Sequence, residues 1–164
     1  MSDDDDTRHS ERDETPAERA DRNMMELLQE LRVATTGVQV LFAFLMAVPF
    51  QQRFAEVSQF QEKVYFATLL LSVSATAFMI APSAYHRLNF AQRDKRHIVQ
   101  AASRLAVVGL VLLALAMTGA VTLITDFLFQ EGTVSVTVAG TALLFLTLWF
   151  VLPLIRRAQN TRTS

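Results

Sequence analysis

Side chains able to take up protons or hold an anion gather in two short stretches of this 164-residue chain. In the stretch from 24 to 32, Glu26, Gln29 and Arg32 lead at helical spacing into Thr36 and Gln39, so a polar stripe runs along one face, and Glu30 adds a second carboxylate. In the stretch from 81 to 90, Tyr85, His86 and Arg87 are consecutive. The imidazole is a proton acceptor near neutral pH, and the guanidinium suits a lipid phosphate or a carboxylate such as Glu26 or Glu30. A stripe of this kind can line a vestibule or meet a partner. It is equally accounted for by an interfacial helix whose polar side meets headgroups, with Gln39 bonded to a neighbouring helix and Tyr85 anchoring a helix end.

Other chemistry finds little material. There is no cysteine, which removes disulfides, thiolate catalysis and cysteine metal sites. His9, His86 and His97 are scattered, form no His-Glu-x-x-His pattern, and offer no mid-membrane haem ligand. The acidic run at residues 3–6 reads as a solvated tail. No serine has a histidine and a carboxylate near it in the pattern, and no glycine-rich phosphate loop occurs, so neither an enzyme nor a bound cofactor is expected. The basic residues of the central loop are too few for a nucleic-acid face and lack a reading element.

The elements that must position these groups are membrane spans. Four apolar stretches, at about 33–50, 64–82, 105–125 and 134–153, contain no full charge in their interiors and match the roughly 17–25 residues a helix needs to cross a bilayer. Pro49, Pro82 and Pro153 stand where three of them are expected to close. Helices are required because unpaired backbone groups are too costly in lipid. The expected architecture is an all-α, up-down-up-down four-helix bundle in residues 21–157. An amphipathic helix carrying Met24, Leu27, Leu28 and Leu31 on one face leads into the first span without a break. Residues 1–20 read as a disordered acidic tail and 158–164 as a short second tail.

Thirteen lysines and arginines fall in the N-terminal segment, the central loop and the C-terminal tail; two, Arg53 and Lys63, fall on the opposite side. That bias predicts that both termini are cytoplasmic, in the cell membrane. The N-terminal segment is acidic where a cleaved signal would be basic, so the first span is expected to direct insertion. Arg93, Lys95, Arg96, Arg104, Arg156 and Arg157 are then candidates for anionic headgroups.

Residues 50–62 have Phe50, Phe54 and Val57 at helical spacing and read as an interfacial helix; residues 126–133 read as a turn flexing at Gly132. Inside the spans the polar residues are Gln39, Ser72, Ser74, Thr76, Thr118, Thr122, Thr141 and Thr147, hydroxyls expected to bond carbonyls of their own helix or a neighbour. Ala102, Ala106, Gly109, Ala116, Gly119 and Ala120 in and around span three, and Gly140 in span four, predict close helix packing. Proton and ion pathways usually use an intramembrane carboxylate, lysine or histidine, and none is present.

The segments Glu26-Leu-Leu-Gln-Glu-Leu-Arg32, Gly37-Val-Gln39, Pro49-Phe50, Ala81-Pro82 with Tyr85-His-Arg87, and Trp149 with Pro153 together resemble a family of small actinobacterial four-span membrane proteins of unknown function. The resemblance covers about residues 22–157. Members are sometimes labelled sodium:proton antiporters, and the family implies no assignable catalytic or binding residue.

The sequence therefore predicts a non-enzymatic multi-pass membrane protein acting through lipid or protein contacts at its cytoplasmic face, alone, as a homo-oligomer or within a larger membrane complex. The alternative is a small cation or proton transporter using Glu26, Glu30, Gln39, His86 and Asp126.

Overall fold

The computed structural model describes residues 15–88, 95–129 and 131–160. Helix α1 spans Pro16–Ala47. It starts where Thr15 closes a capping box: the Glu18 amide donates to Thr15 Oγ1 (3.3 Å) while Glu18 Oε2 accepts from the Thr15 amide (2.8 Å). Pro16 occupies the first turn, where a missing N–H costs nothing. The helix thus begins ahead of residue 21, in a stretch whose charge had suggested a disordered tail; a local cap outweighs that composition.

From there α1 runs unbroken into the first span. Met24, Leu31, Val38 and Leu45 recur every seven residues and are buried. Leu27, Ala34 and Leu41 lie between them, packed against the same core. A repeat of this period keeps one seam of a long helix on its neighbours. At about 1.5 Å per residue, α1 is about 18 Å longer than the ~30 Å hydrocarbon layer requires, so its N-terminal turns project beyond it.

Two 3₁₀ turns, Val48–Phe50 and Gln52–Glu56, follow. The expected interfacial helix is therefore not formed. Pro49 ends α1, and the chain is extended at Gln51 and again at Val57, leaving no room for a full α-turn series.

Helix α2, Gln59–Leu88, is opened by Ser58 and Gln61: the Ser58 amide donates to Gln61 Oε1 (3.0 Å) and the Gln61 amide to Ser58 Oγ (3.2 Å). Pro82 does not close it. The ring is fully buried in the bundle and the helix continues to Leu88. Tight helix packing offsets the one lost backbone bond, as neighbours commonly allow in membrane helices.

Helix α3, Lys95–Leu128, lies antiparallel to α2, and this is the most extensive helix contact in the molecule. Ala102, Ala106, Leu113 and Ala116 on α3 are buried, as are Thr68, Ser72, Ala75 and Met79 on α2. Gly109 meets Met79 and Gly119 meets Thr68, which fixes the register. Small side chains bring the backbones together, and dispersion between packed surfaces replaces the hydrophobic driving force that lipid cannot supply.

Helix α4, Glu131–Phe145, leaves α3 almost immediately. Asp126 still belongs to α3 and Gly132 to α4, and no glycine has a positive φ, so the expected turn at 126–133 shrinks to the residues between Leu128 and Glu131. A π-helical segment, Leu146–Val151, then joins α4 to α5, Leu152–Asn160. Its Leu152 amide bonds the Thr147 carbonyl, five residues back. The widened turn relieves the clash a proline ring makes with the carbonyl four residues earlier, and the chain passes Pro153 in helical form.

The four long helices form an up-down-up-down bundle, with α1, α2 and α3 in mutual contact and α4 against α3 alone. Trp149 reaches back to the core shared by Leu31, Val38, Ala75 and Met79, and meets Phe145 edge to face at 4.9 Å. Among the described residues of the fourth span, none is buried.

Candidate functional site

The sequence singled out a polar surface at the end of the bundle that carries the N-terminal part of α1. Glu26, Glu30, Arg32 and Gln39 are all exposed on α1, but Glu30 and Gln39, nine residues apart, point to opposite sides of the helix axis, so the four spread around its outer surface. All lie off the buried seam, because Met24, Leu31, Val38 and Leu45 occupy the face turned to α2 and α3. Glu26 and Gln39 are thirteen residues apart, about 20 Å along the axis, so they cannot act on one small ligand together. Arg22 approaches Glu26 at 3.9 Å, one turn away. With both side chains about half exposed, the pair contributes a few tenths of a kcal/mol.

Tyr85 and Arg87 sit on the last turns of α2, at the same end of the bundle, both exposed. Among the described residues no ion pair joins Arg87 to Glu26 or Glu30. The residues therefore make a surface rather than a convergent site. The side chains of His86, Lys95, Arg96 and Arg157, and the whole of Arg93, lie outside the described residues. Arg104 and Arg156 are exposed, on α3 and α5, and both are toward the same end.

At the start of α1 a carboxyl is tuned by its cap. Glu18, well ahead of the first span, has its carboxyl held below the usual value, because the Thr15 hydroxyl donates to it at 2.7 Å and the Thr15 amide adds a second bond.

Within the spans, the hydroxyls turn back on their own helices. Thr68 donates to Val64 O, Ser72 to Leu69 O, Thr76 to Ser72 O, Thr118 to Ala114 O and Thr122 to Thr118 O, at 2.7–2.9 Å. Each of these hydroxyls spends its one donor within its own helix. Gln39 makes no hydrogen bond to a neighbouring helix among the described residues.

The opposite end of the bundle holds what sequence reasoning missed. The Tyr65 hydroxyl is buried and donates to Leu45 O on α1 at 3.0 Å. Gln61 Nε2 donates to Asp126 Oδ2 at 2.9 Å, linking the start of α2 to the end of α3. Arg53 lies over the Phe127 ring, 4.7 Å from its centre. These groups surround a pocket of about 870 Å³ between α1, the 3₁₀ turns, α2 and α3. The Ser58-x-x-Gln61 spacing was the available signal for the α2 start; nothing local marked Arg53 or Tyr65. Neither Glu26, Glu30 nor Gln39 lines that pocket. Among the described residues no three His, Asp or Glu side chains converge as a metal-holding group.

Four helices long and apolar enough to cross a membrane, with large apolar side chains such as Phe44, Leu70, Ile124 and Leu143 turned outward, define a small multi-pass membrane protein. The chain belongs to the family of unknown function DUF6328, whose sequence profile matches residues 13–153. No curated protein and no solved structure matches it.

Proposed function

We propose that this protein is a non-enzymatic platform of the cell membrane, with both termini cytoplasmic, that works through lipid and protein contacts at its cytoplasmic face. One observation carries this reading: α1 is one continuous helix about 18 Å longer than the hydrocarbon layer requires, so its N-terminal turns extend through the headgroup region of one leaflet. Ala20, Met24 and Leu31 are buried, while Glu26, Gln29, Glu30 and Arg32 are left on the outside. A helix held by its apolar seam presents polar side chains in fixed positions without the ordering cost a flexible tail would incur on binding. Arg104 and Arg156, exposed near the same end, suit the anionic headgroups of that leaflet.

The transporter alternative draws no support from the arrangement of Glu30 and Gln39. Both face away from the bundle interior, and the pocket lies at the other end. A proton or cation path needs polar groups lining a water-filled route.

Proximity labelling in living cells tests the platform. A variant combining Glu26→Ala, Glu30→Ala and Arg87→Ala, each at an exposed position, is expected to keep its helix content and membrane insertion while losing the neighbours labelled around the parent chain. An unchanged set of neighbours overturns the proposal. In parallel, purified protein in liposomes under imposed sodium, potassium and proton gradients is expected to carry no flux.

A further inference from the structure

The pocket at the end of the bundle opposite the termini has a composition that neither close packing nor a polar surface explains. Its walls are Phe44 and Leu45 of α1, Tyr65 of α2 and Leu123 of α3, at the depth of the apolar spans. Its rim is polar, formed by Gln51, Gln52, Arg53 and Gln61. A volume of about 870 Å³ falls in the range of roughly 300–1,000 Å³ that holds small organic ligands. Depth in an apolar layer below a polar rim is the profile of an amphiphile, whose chain and headgroup need the two environments at once.

The charge at the rim selects the headgroup. Arg53 is the charged side chain that lines the pocket. Among the described residues it has no carboxylate partner; its guanidinium rests on the face of Phe127, which leaves the edge donors of the fork open. The nearby carboxylate of Asp126 already accepts from Gln61 and does not line the cavity. Glu56 and Glu62 are exposed and do not line it either. A planar fork of unpaired donors above an apolar shaft matches a phosphate attached to a hydrocarbon chain.

We propose that this pocket is a binding site for an anionic phospholipid, with one acyl chain between α1, α2 and α3 and the phosphate at Arg53. The site is independent of the polar face at the termini end, and its test leaves that face untouched.

The full chain is reconstituted in phosphatidylcholine vesicles carrying a trace of a phospholipid with a photoreactive group in its acyl chain, headed in one sample by phosphatidylglycerol and in the other by phosphatidylcholine. Labelled peptides are mapped by mass spectrometry. The phosphatidylglycerol probe is expected to label the segments around Phe44 and Leu123 in preference to the phosphatidylcholine probe. Arg53→Gln, at an exposed position, is expected to remove about fivefold of that preference, the scale of one basic side chain at an anionic surface. Ala120→Phe, which fills the pocket, is expected to abolish labelling there by both probes while labelling of the exposed face around Leu143 persists. Equal labelling by the two probes, or a preference that survives Arg53→Gln, overturns the headgroup assignment. Label spread evenly over all outward faces overturns the site.

Discussion

The side chain of Gln61 serves two helices at once: its Oε1 accepts from the Ser58 amide at 3.0 Å, and its Nε2 donates to Asp126 Oδ2 at 2.9 Å. The first bond starts α2 and the second fastens it to the end of α3, so one amide sets both where the helix begins and how deep it sits. Gln61→Glu separates the roles, since a carboxylate can still accept from Ser58 but cannot donate to Asp126. At neutral pH two carboxylates then face each other in a half-buried position, and a loss on the order of 1–3 kcal/mol is expected. The deficit is expected to shrink as pH falls and the two groups come to share a proton. Thermal unfolding of the purified protein in mild detergent across a pH series checks this; no deficit at any pH would mean that the Asp126 contact contributes nothing.

The cap at the start of α1 gives a second pH dependence, opposite in sign to that of the Gln61→Glu variant and different in origin. The Glu18 carboxyl titrates below its ordinary value because Thr15 donates to the charged form. Its contribution to the first turn is therefore fully present above the unfolded-state pKa and is lost as pH falls through the lower folded-state value. Thr15→Ala is expected to return the Glu18 titration toward the ordinary range and to speed amide exchange at residues 18–20. Carboxyl chemical shifts followed through an acid titration measure the first effect, and an unmoved Glu18 midpoint would remove the cap from the account.

Much of this architecture was legible in the residues. Four apolar stretches, the apolar face of Met24, Leu27 and Leu31, and the small residues of α3 each impose one period and one partner face, and the bundle follows them. Where reading failed, a local rule was taken without its context. Pro82 and Pro153 were expected to stop helices, but one is buried in packed neighbours and the other follows a π-turn that makes room for it. Gly132 was expected to bend a turn yet sits in α4 without a positive φ. The residues of the polar stripe are exposed, but periodicity alone does not say which way a face points. Only the packing of Leu31 and Val38 turns Glu30 and Gln39 outward. The Arg53–Phe127 and Tyr65–Leu45 contacts join positions far apart in the chain, and no spacing rule reaches that distance.

That outward stripe makes Gln39 a sharp probe. It is exposed within the first span and has no hydrogen-bond partner from another helix among the described residues. Gln39→Leu is expected to leave the unfolding temperature unchanged or raise it slightly, because an amide facing lipid is worse solvated than an alkyl group. A bundle that loses more than about 1 kcal/mol on this change would reveal that Gln39 bonds to another chain, the order of a hydrogen bond between membrane helices.

α2 and α3 pack closely at Gly119, where an added Cβ would run into the Thr68 hydroxyl and its methyl carbon. Thr68 cannot swing aside cheaply, being buried and committed through its hydroxyl to Val64 O at 2.7 Å. At Gly109 an added Cβ would fall 2.9 Å from Met79 Cγ, which can yield in part, and 3.3 Å from the Met79 backbone nitrogen, which cannot. At Gly140 it would meet nothing within 4 Å. The three glycines therefore predict a graded series. Gly119→Ala is expected to cost about 1–3 kcal/mol by overpacking, and Gly109→Ala less than that. Gly140→Ala is expected to be neutral or to gain up to about 1 kcal/mol from helix propensity. The double variant Thr68→Ala with Gly119→Ala is expected to recover most of the loss, since the methyl then enters the space the threonine vacated. Unfolding measured in one detergent for all four proteins decides it. Equal effects at Gly119 and Gly140 would show that glycine there lowers helix propensity and nothing else, and the register of α2 on α3 would need another cause.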